Sequence, residues 1–448
     1  MMDASWRSRA ETAAQFGVWR EAVVFLLLVA LLLIPLLING FPLVMDDSIA
    51  YSGEGVGWIR SNTAAVVIAP LYNLLGYWAL PLFNAVLVAA AWLLFCRSFA
   101  FRDLLVLALP LSVLALLPLY VSAVLVDTWF FAAIVFLIVA VRRKSPLLAI
   151  LVGILFSSHG SGLLLVLPFS ILMTVAFRRW QLFAMPAIAI VTLLLVNGAL
   201  ERKYFPDVPR LGETFLASRL FSIHPELLRR QCQRSGDAAL CIAADYVAEL
   251  RSDPANAGRR DFFWDVARRF PQAFQLVRFE RYHARPIIVD GLTYRPVESS
   301  RVILGDFLSF YGPETLLDFI PVLTEPMPAG FYQSAQGKGL WQSDMFRHSA
   351  TVCRYALYLL VALAVIRAGR ALAREERIWV ALLLLMAVGN DLLFAIVSGP
   401  PDRYHHRILP LLGLVVLLAT NAIQRGRVRH LSSTDKEGKT TDLTSAAR

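Results

Sequence analysis

Charge is scarce in this chain. Only 17% of its 448 residues are charged against 57% hydrophobic, which excludes a soluble globular protein, because one water-soluble core of this length needs far fewer apolar side chains. Cysteine is as sparse, and four in the whole chain exclude a disulfide scaffold or a cysteine-rich zinc or iron–sulfur domain. A Walker-type phosphate loop, His-Glu-x-x-His, Gly-x-Ser-x-Gly and a dinucleotide fingerprint are all missing. The run Gly53-Glu-Gly-Val-Gly57 follows no strand pattern, so ATP-driven work is not expected. A basic domain is missing too. The net charge is +10, yet the basic residues are scattered as pairs and triplets between apolar segments, which argues against nucleic acid as a partner. No signal peptide with a small-residue cleavage site is evident.

What the chain does have is long apolar runs, such as Ala22 to Ile38, Leu104 to Val121 and Ile408 to Ile423. Crossing a bilayer takes about 20 apolar residues. The expected fold is therefore an all-α polytopic membrane protein of about ten transmembrane helices, near 21–39, 77–96, 104–121, 124–141, 146–158, 161–177, 181–199, 351–367, 378–397 and 407–423. The pair 146–158 and 161–177 is short and reads as a hairpin or as two half-length helices. With Arg7, Arg9 and Arg20 on the cytoplasmic side, alternation puts Arg97 and Arg102, Arg142 to Lys144, Arg178 and Arg179, Arg367 to Arg377, and Arg425 to Arg429 there as well. The positive-inside rule then holds at every short loop except the last outer one.

This topology implies a bacterial inner membrane with both termini cytoplasmic. It divides the chain into an N-terminal transmembrane module, 1–199, whose first outer loop is 40–76; a mainly helical periplasmic domain, 200–350; C-terminal transmembrane helices, 351–423; and a cytoplasmic tail, 424–448, expected to be disordered. Cys232 and Cys241, with eight residues between them in an oxidising compartment, are expected to form a disulfide. Cys96 and Cys353 fall at opposite membrane faces and are not expected to pair.

Ionisable residues in or beside spans are costly and so mark candidate sites. Asp46 and Asp47 follow the first span, with Tyr51 and Arg60 beyond them; Asp127 opens the fourth; His159 lies between the fifth and sixth; Asn390 and Asp391 lie in the ninth; Asp402, Arg403, Tyr404, His405, His406 and Arg407 form the last outer loop. All but Asn390 and Asp391 fall at the outer face. A partly desolvated carboxylate there suits a general base, and arginine and histidine suit a phosphate. Each group has a plainer reading: Asp47 and Asp127 as helix caps, His159 as a turn residue, Arg403 and Arg407 reaching to headgroups, and Asn390 with Asp391 as an interhelical link. Asp46 and Asp47 with His405 and His406 would also be the place for a divalent cation. Metal need stays open.

The order of these parts resembles the GT-C superfamily of polytopic glycosyltransferases. Asp46-Asp47 matches that family's acidic pair in the first outer loop, Asp127 its second acidic residue, and 200–350 its soluble portion. Gly40-Phe41-Pro42-Leu43 and Ser398-Gly-Pro-Pro-Asp-Arg-Tyr-His-His-Arg407 are also similar to segments of uncharacterised bacterial membrane proteins. The first resemblance implies transfer of a sugar from a polyprenyl-phosphate donor to a glycan or lipid acceptor. In that scheme Asp46 is the base, Asp47 orients it, and Asp127 supports acceptor or metal. Arg403, His405 and Arg407 neutralise the departing phosphate, while Tyr51, Arg60, His159 and His406 line the substrate. The rival readings are a transporter or flippase of lipid-linked glycans and a non-catalytic subunit of a cell-envelope assembly. The chain departs from many family members in that its soluble portion is inserted between spans.

Overall fold

The structure is a computed structural model that describes residues 3–45, 48–51, 62–204, 206, 212–254, 266, 269, 276–316, 319, 327–399 and 402–426. Helices make up most of these residues, and no strand is found among them. Among the described residues, six helices are long and apolar enough to cross a membrane: Val18–Asn39, Thr63–Ser98, Trp180–Tyr204, Asp344–Ala368, Arg374–Val397 and Arg403–Gly426. The apolar helices Asp103–Leu114, Pro146–Ser157 and Gly162–Phe177 are shorter.

The N-terminal part runs through α1 (Asp3–Asn39), α2 (Ser48–Tyr51), α3 (Asn62–Leu75) and α4 (Ala79–Ser98). Within 40–76, read from the sequence as the first outer loop, α3 packs against α4 and buries Ala64 and Ile68 in the main core. The physical reason is its run Ala64-Ala-Val-Val-Ile-Ala69, which is too apolar to stay in water. The expected 104–121 span is broken into α5 (Ala108–Leu114) and α6 (Leu117–Val121), with Leu116 left-handed at φ 53° between them. Pro118 sits at the start of α6, where a missing N–H costs nothing.

α7 (Asp127–Arg143) is the centre of the molecule: each residue from Asp127 to Val141 is buried. A helix apolar on every side must be enclosed by protein or by lipid, and here α4 and α8 (Pro146–Ser157) enclose it. Ser145 caps α8 by accepting from the Leu148 amide, with Pro146 at its first turn. α9 (Gly162–Phe177) and α10 (Ala184–Tyr204) follow. α8 meets α10 at Gly153, where a Cβ would lie 2.5 Å from the Ala189 carbonyl oxygen, so only glycine permits this approach.

The insert comprises α11 (Gly212–Ile223), α12 (Glu226–Ser235), α13 (Ala238–Ser252), α14 (Leu276–Phe279), a π-helical turn at Glu280–Ala284, α15 (Arg285–Thr293), α16 (Pro296–Ser309) and α17 (Ala329–Gln333). It has its own core, including Phe221, Leu228, Val247 and Phe279. A disulfide joins Cys232 to Cys241 and so ties α12 to α13, while Cys96 and Cys353 are free thiols. Asp237 caps α13 by accepting from the Ala239 and Leu240 amides. α18 (Asp344–Ala368), α19 (Arg374–Val397), α20 (Asp402–His406) and α21 (residues 409–426) complete the chain.

Side-chain contacts distinguish two ends of the bundle. One carries arginine–carboxylate pairs: Arg20 with Asp103, Arg97 with Glu21, Arg142 with Glu375 and Arg425 with Glu376. At the other end, the chain after α1 is fastened. Asn39 accepts from the Gln336 amide at 2.7 Å and from Trp341 Nε1 at 2.9 Å. The Gln336 side chain in turn bonds both the amide and the carbonyl of Val44. Leu43 forms an isolated parallel bridge with Ala123, its amide donating to Ser122 O and its carbonyl accepting from Val124 N. The stretch leading to Asp46 is thereby held beside the stretch leading to Asp127.

Candidate functional site

Asp127, His159 and the 403–407 segment are distant in sequence, yet they meet at this second end. Arg407 is their hub. Its Nε and Nη2 both donate to Asn390 Oδ1, at 2.9 and 2.7 Å, Nη2 also reaches Ser161 Oγ at 3.3 Å, and Nη1 lies 4.0 Å from Asp127 Oδ1. The guanidinium rests on aromatic faces, 4.2 Å from the Phe394 centroid and 4.7 Å from that of Phe130. Arginine tolerates this depth because its planar fork is satisfied on its edge and stacked on its faces. Ser161 also pairs with His159 Nδ1 at 2.8 Å, which links the turn between α8 and α9 to Arg407.

A second strand of the network runs through the two adjacent histidines. His405 Nδ1 meets Asp391 Oδ2 at 2.8 Å, and its Nε2 meets the Tyr358 hydroxyl at 2.5 Å. A carboxylate, an imidazole and a phenol thus stand in line, and every one of them is supplied by a different helix. Tyr311 stands beside Asp391; burial first, and then that carboxylate, push its phenol above the ordinary value. His406 turns the other way: Nε2 meets Glu314 Oε2 at 2.9 Å, and the ring stacks on Tyr120 with centroids 4.4 Å apart. Arg354 Nη1 lies 2.8 Å from Glu314 Oε1 and donates to the Phe310 carbonyl at 3.2 Å. Burial alone would raise the Glu314 carboxyl, but His406 and then Arg354 outweigh it and hold the group below the usual carboxylate range. The side chains of Glu314, Arg354 and His406 are fully enclosed.

The sequence-predicted residues can now be placed. Asp127 is the first helical residue of α7, next to the N-cap Val126, and its carboxylate lies 4.0 Å from Arg407 Nη1. Arg403 donates to the Tyr404 hydroxyl at 3.2 Å and lies over its ring, and Tyr404 stacks on Phe394 at 3.9 Å. Tyr51 is 3% exposed and belongs to the main core. Asp46, Asp47 and Arg60 lie outside the described residues, although Met45 and Ser48, which flank the acidic pair, bond to one another. Asn390 and Asp391 were set apart from the outer group by sequence. They join it because α20 folds back on the last turns of α19, and the Asn390 side chain donates to the Tyr404 carbonyl at 2.8 Å. Their reading as an interhelical link holds, and it is also their route into the cluster.

Sequence reasoning missed Glu314, Arg354, Tyr311 and Tyr358. Arg354 was detectable, since it is an ionisable residue inside an apolar run. Glu314, in a Gly-Pro-Glu-Thr turn, gave no signal. For a metal, the described residues bring no three histidine, cysteine, aspartate or glutamate side chains together as a ligand set. Arg354 Nε and Nη2 have no acceptor among the described residues, and buried donors without acceptors cost about 1–3 kcal/mol each. No protein-family model, curated protein or solved structure matches the chain.

Proposed function

We propose that the protein is a multi-pass bacterial inner-membrane glycosyltransferase of GT-C type. It would cross the membrane about ten times, with both termini cytoplasmic and the insert in the periplasm, and move a sugar from a polyprenyl-phosphate donor to a hydroxyl of a glycan or lipid. The observation that carries this reading is the convergence of Asp127, His159 and Arg403 to Arg407 on the bundle end to which the chain before Asp46 is also fastened. In the reaction the acceptor oxygen bonds to the anomeric carbon as the bond from that carbon to the phosphate oxygen breaks. Asp46 takes the acceptor proton and the lipid phosphate departs with the electron pair. Neutralising that phosphate is the largest electrostatic task. Arg403, His405 and Arg407 would neutralise it, the arginines through paired N–H groups that phosphate oxygens suit.

A second reading has its own observation. The pairs His405–Asp391 and His406–Glu314 are fully enclosed, as in a proton-coupled transporter of lipid-linked glycans, where buried ionisable pairs carry the proton.

The test is Asp46→Asn, which keeps shape and removes the proton acceptor. Turnover should fall on the order of 10²–10⁴-fold, while Arg403→Ala should weaken donor binding and leave the maximal rate nearer its original value. Purified protein with a polyprenyl-phosphate sugar and envelope glycan profiling of a complemented deletion strain both read this out. Normal glycan from a well-expressed Asp46→Asn protein would remove the mechanism. Activity that collapses with the proton gradient would favour transport.

A further inference from the structure

At the end of the bundle opposite the candidate site, a cleft of about 570 Å³ runs between the last turns of α9 and the first turns of α19. Its walls are aliphatic, among them Leu172, Val175 and Leu385, and these three are 46%, 59% and 55% exposed. In a membrane-spanning bundle such residues face hydrocarbon, so an acyl chain is the natural filling. Its rim is different. Arg374 and Arg377 line the mouth, both are exposed, and neither has an ion-pair partner among the described residues. The carboxylates between them in sequence are already engaged: Glu375 pairs with Arg142, and Glu376 pairs with Arg425 and accepts from the Ala373 amide at 3.0 Å. Two positive charges are therefore left over at the polar end of an apolar groove.

We propose that this cleft is a binding site for a phospholipid with an anionic headgroup, its phosphate over Arg374 and Arg377 and one acyl chain along the groove. Basic pockets between helices at a membrane surface select anionic lipids in this way, and a guanidinium holds a phosphate through paired N–H groups. A zwitterionic headgroup has the same phosphate but brings a cation toward the same two arginines, so net charge decides the selection. The proposal does not depend on the reaction suggested above, because the two sites lie at opposite ends of the helices.

Native mass spectrometry of the full chain in detergent, titrated with phosphatidylglycerol and separately with phosphatidylcholine, tests it. The wild type should bind one phosphatidylglycerol more tightly than any phosphatidylcholine. Arg374→Gln with Arg377→Gln should weaken that binding about 30-fold, the value expected from two cationic contacts. Arg374→Lys with Arg377→Lys should keep the preference for phosphatidylglycerol. Arg143→Gln with Lys144→Gln, which removes two exposed positive charges elsewhere on the same end, should leave it unchanged. Equal affinity for both lipids would overturn the proposal, as would full binding by the double glutamine variant or an equal loss in the Arg143 and Lys144 control.

Discussion

Glu314→Gln changes one oxygen for an amide nitrogen and leaves the packing volume nearly untouched. It removes the negative charge that faces both Arg354 and His406, at 2.8 and 2.9 Å, with all three side chains shut away from solvent. Arg354 would then be a buried cation without a counter-charge. Breaking a buried pair from one side costs about 3–5 kcal/mol, so the variant should lose stability in that range. Replacing both partners, Glu314→Gln with Arg354→Met, should recover most of the loss, because an apolar side chain of similar length does not need the carboxylate. The coupling between the two sites is expected near the top of the ~0.5–3 kcal/mol range for residues in contact. The pH sign follows from the lowered Glu314 value: the stabilisation is present above the ordinary glutamate pKa of about 4.3 and is lost as pH falls through the lower folded value. Equilibrium unfolding of purified protein in detergent, followed by tryptophan fluorescence, measures all four corners of the cycle. Losses that simply add, or a Glu314→Gln loss below about 1 kcal/mol, would refute the claim that this pair is buried and mutually dependent.

Reporter fusions at Arg143, Gly258 and the C-terminus should report cytoplasm, periplasm and cytoplasm; a cytoplasmic signal at Gly258 would put the candidate site on the wrong face. Alkylation of the native protein should leave Cys232 and Cys241 protected until reductant is added, and breaking their bond should cost toward the low end of ~2–4 kcal/mol because the loop spans only nine residues. In the insert, burial lowers His283 more than the carboxylate of Asp237 raises it, and burial also lowers His224. Unfolded chains therefore take up protons first as pH falls below about 6.5, so limited proteolysis of the intact protein within 226–252 should speed up from pH 7.5 to 5.5. His283→Gln should flatten that trend.

The sequence alone determined that this is a helical chain with segments long and apolar enough to cross a membrane, because a long run of apolar side chains has no other stable surroundings than lipid or a large buried interior. Val18–Asn39 and Arg374–Val397 were legible for that reason. The Cys232–Cys241 disulfide was legible from spacing within a polar insert. Hydropathy could not tell lipid from protein as the apolar neighbour. Only packing made α7 a fully enclosed axis and seated one face of α3 in the core. Nor could one-dimensional distance join Asn390 to Arg407 or Glu314 to His406, since a hydrogen bond is decided by the fold-back of α20 and by where residues 310–316 land. The sequence singled out Arg407 and His406 because charge beside a membrane span is costly; tertiary structure chose the partners that make that charge tolerable.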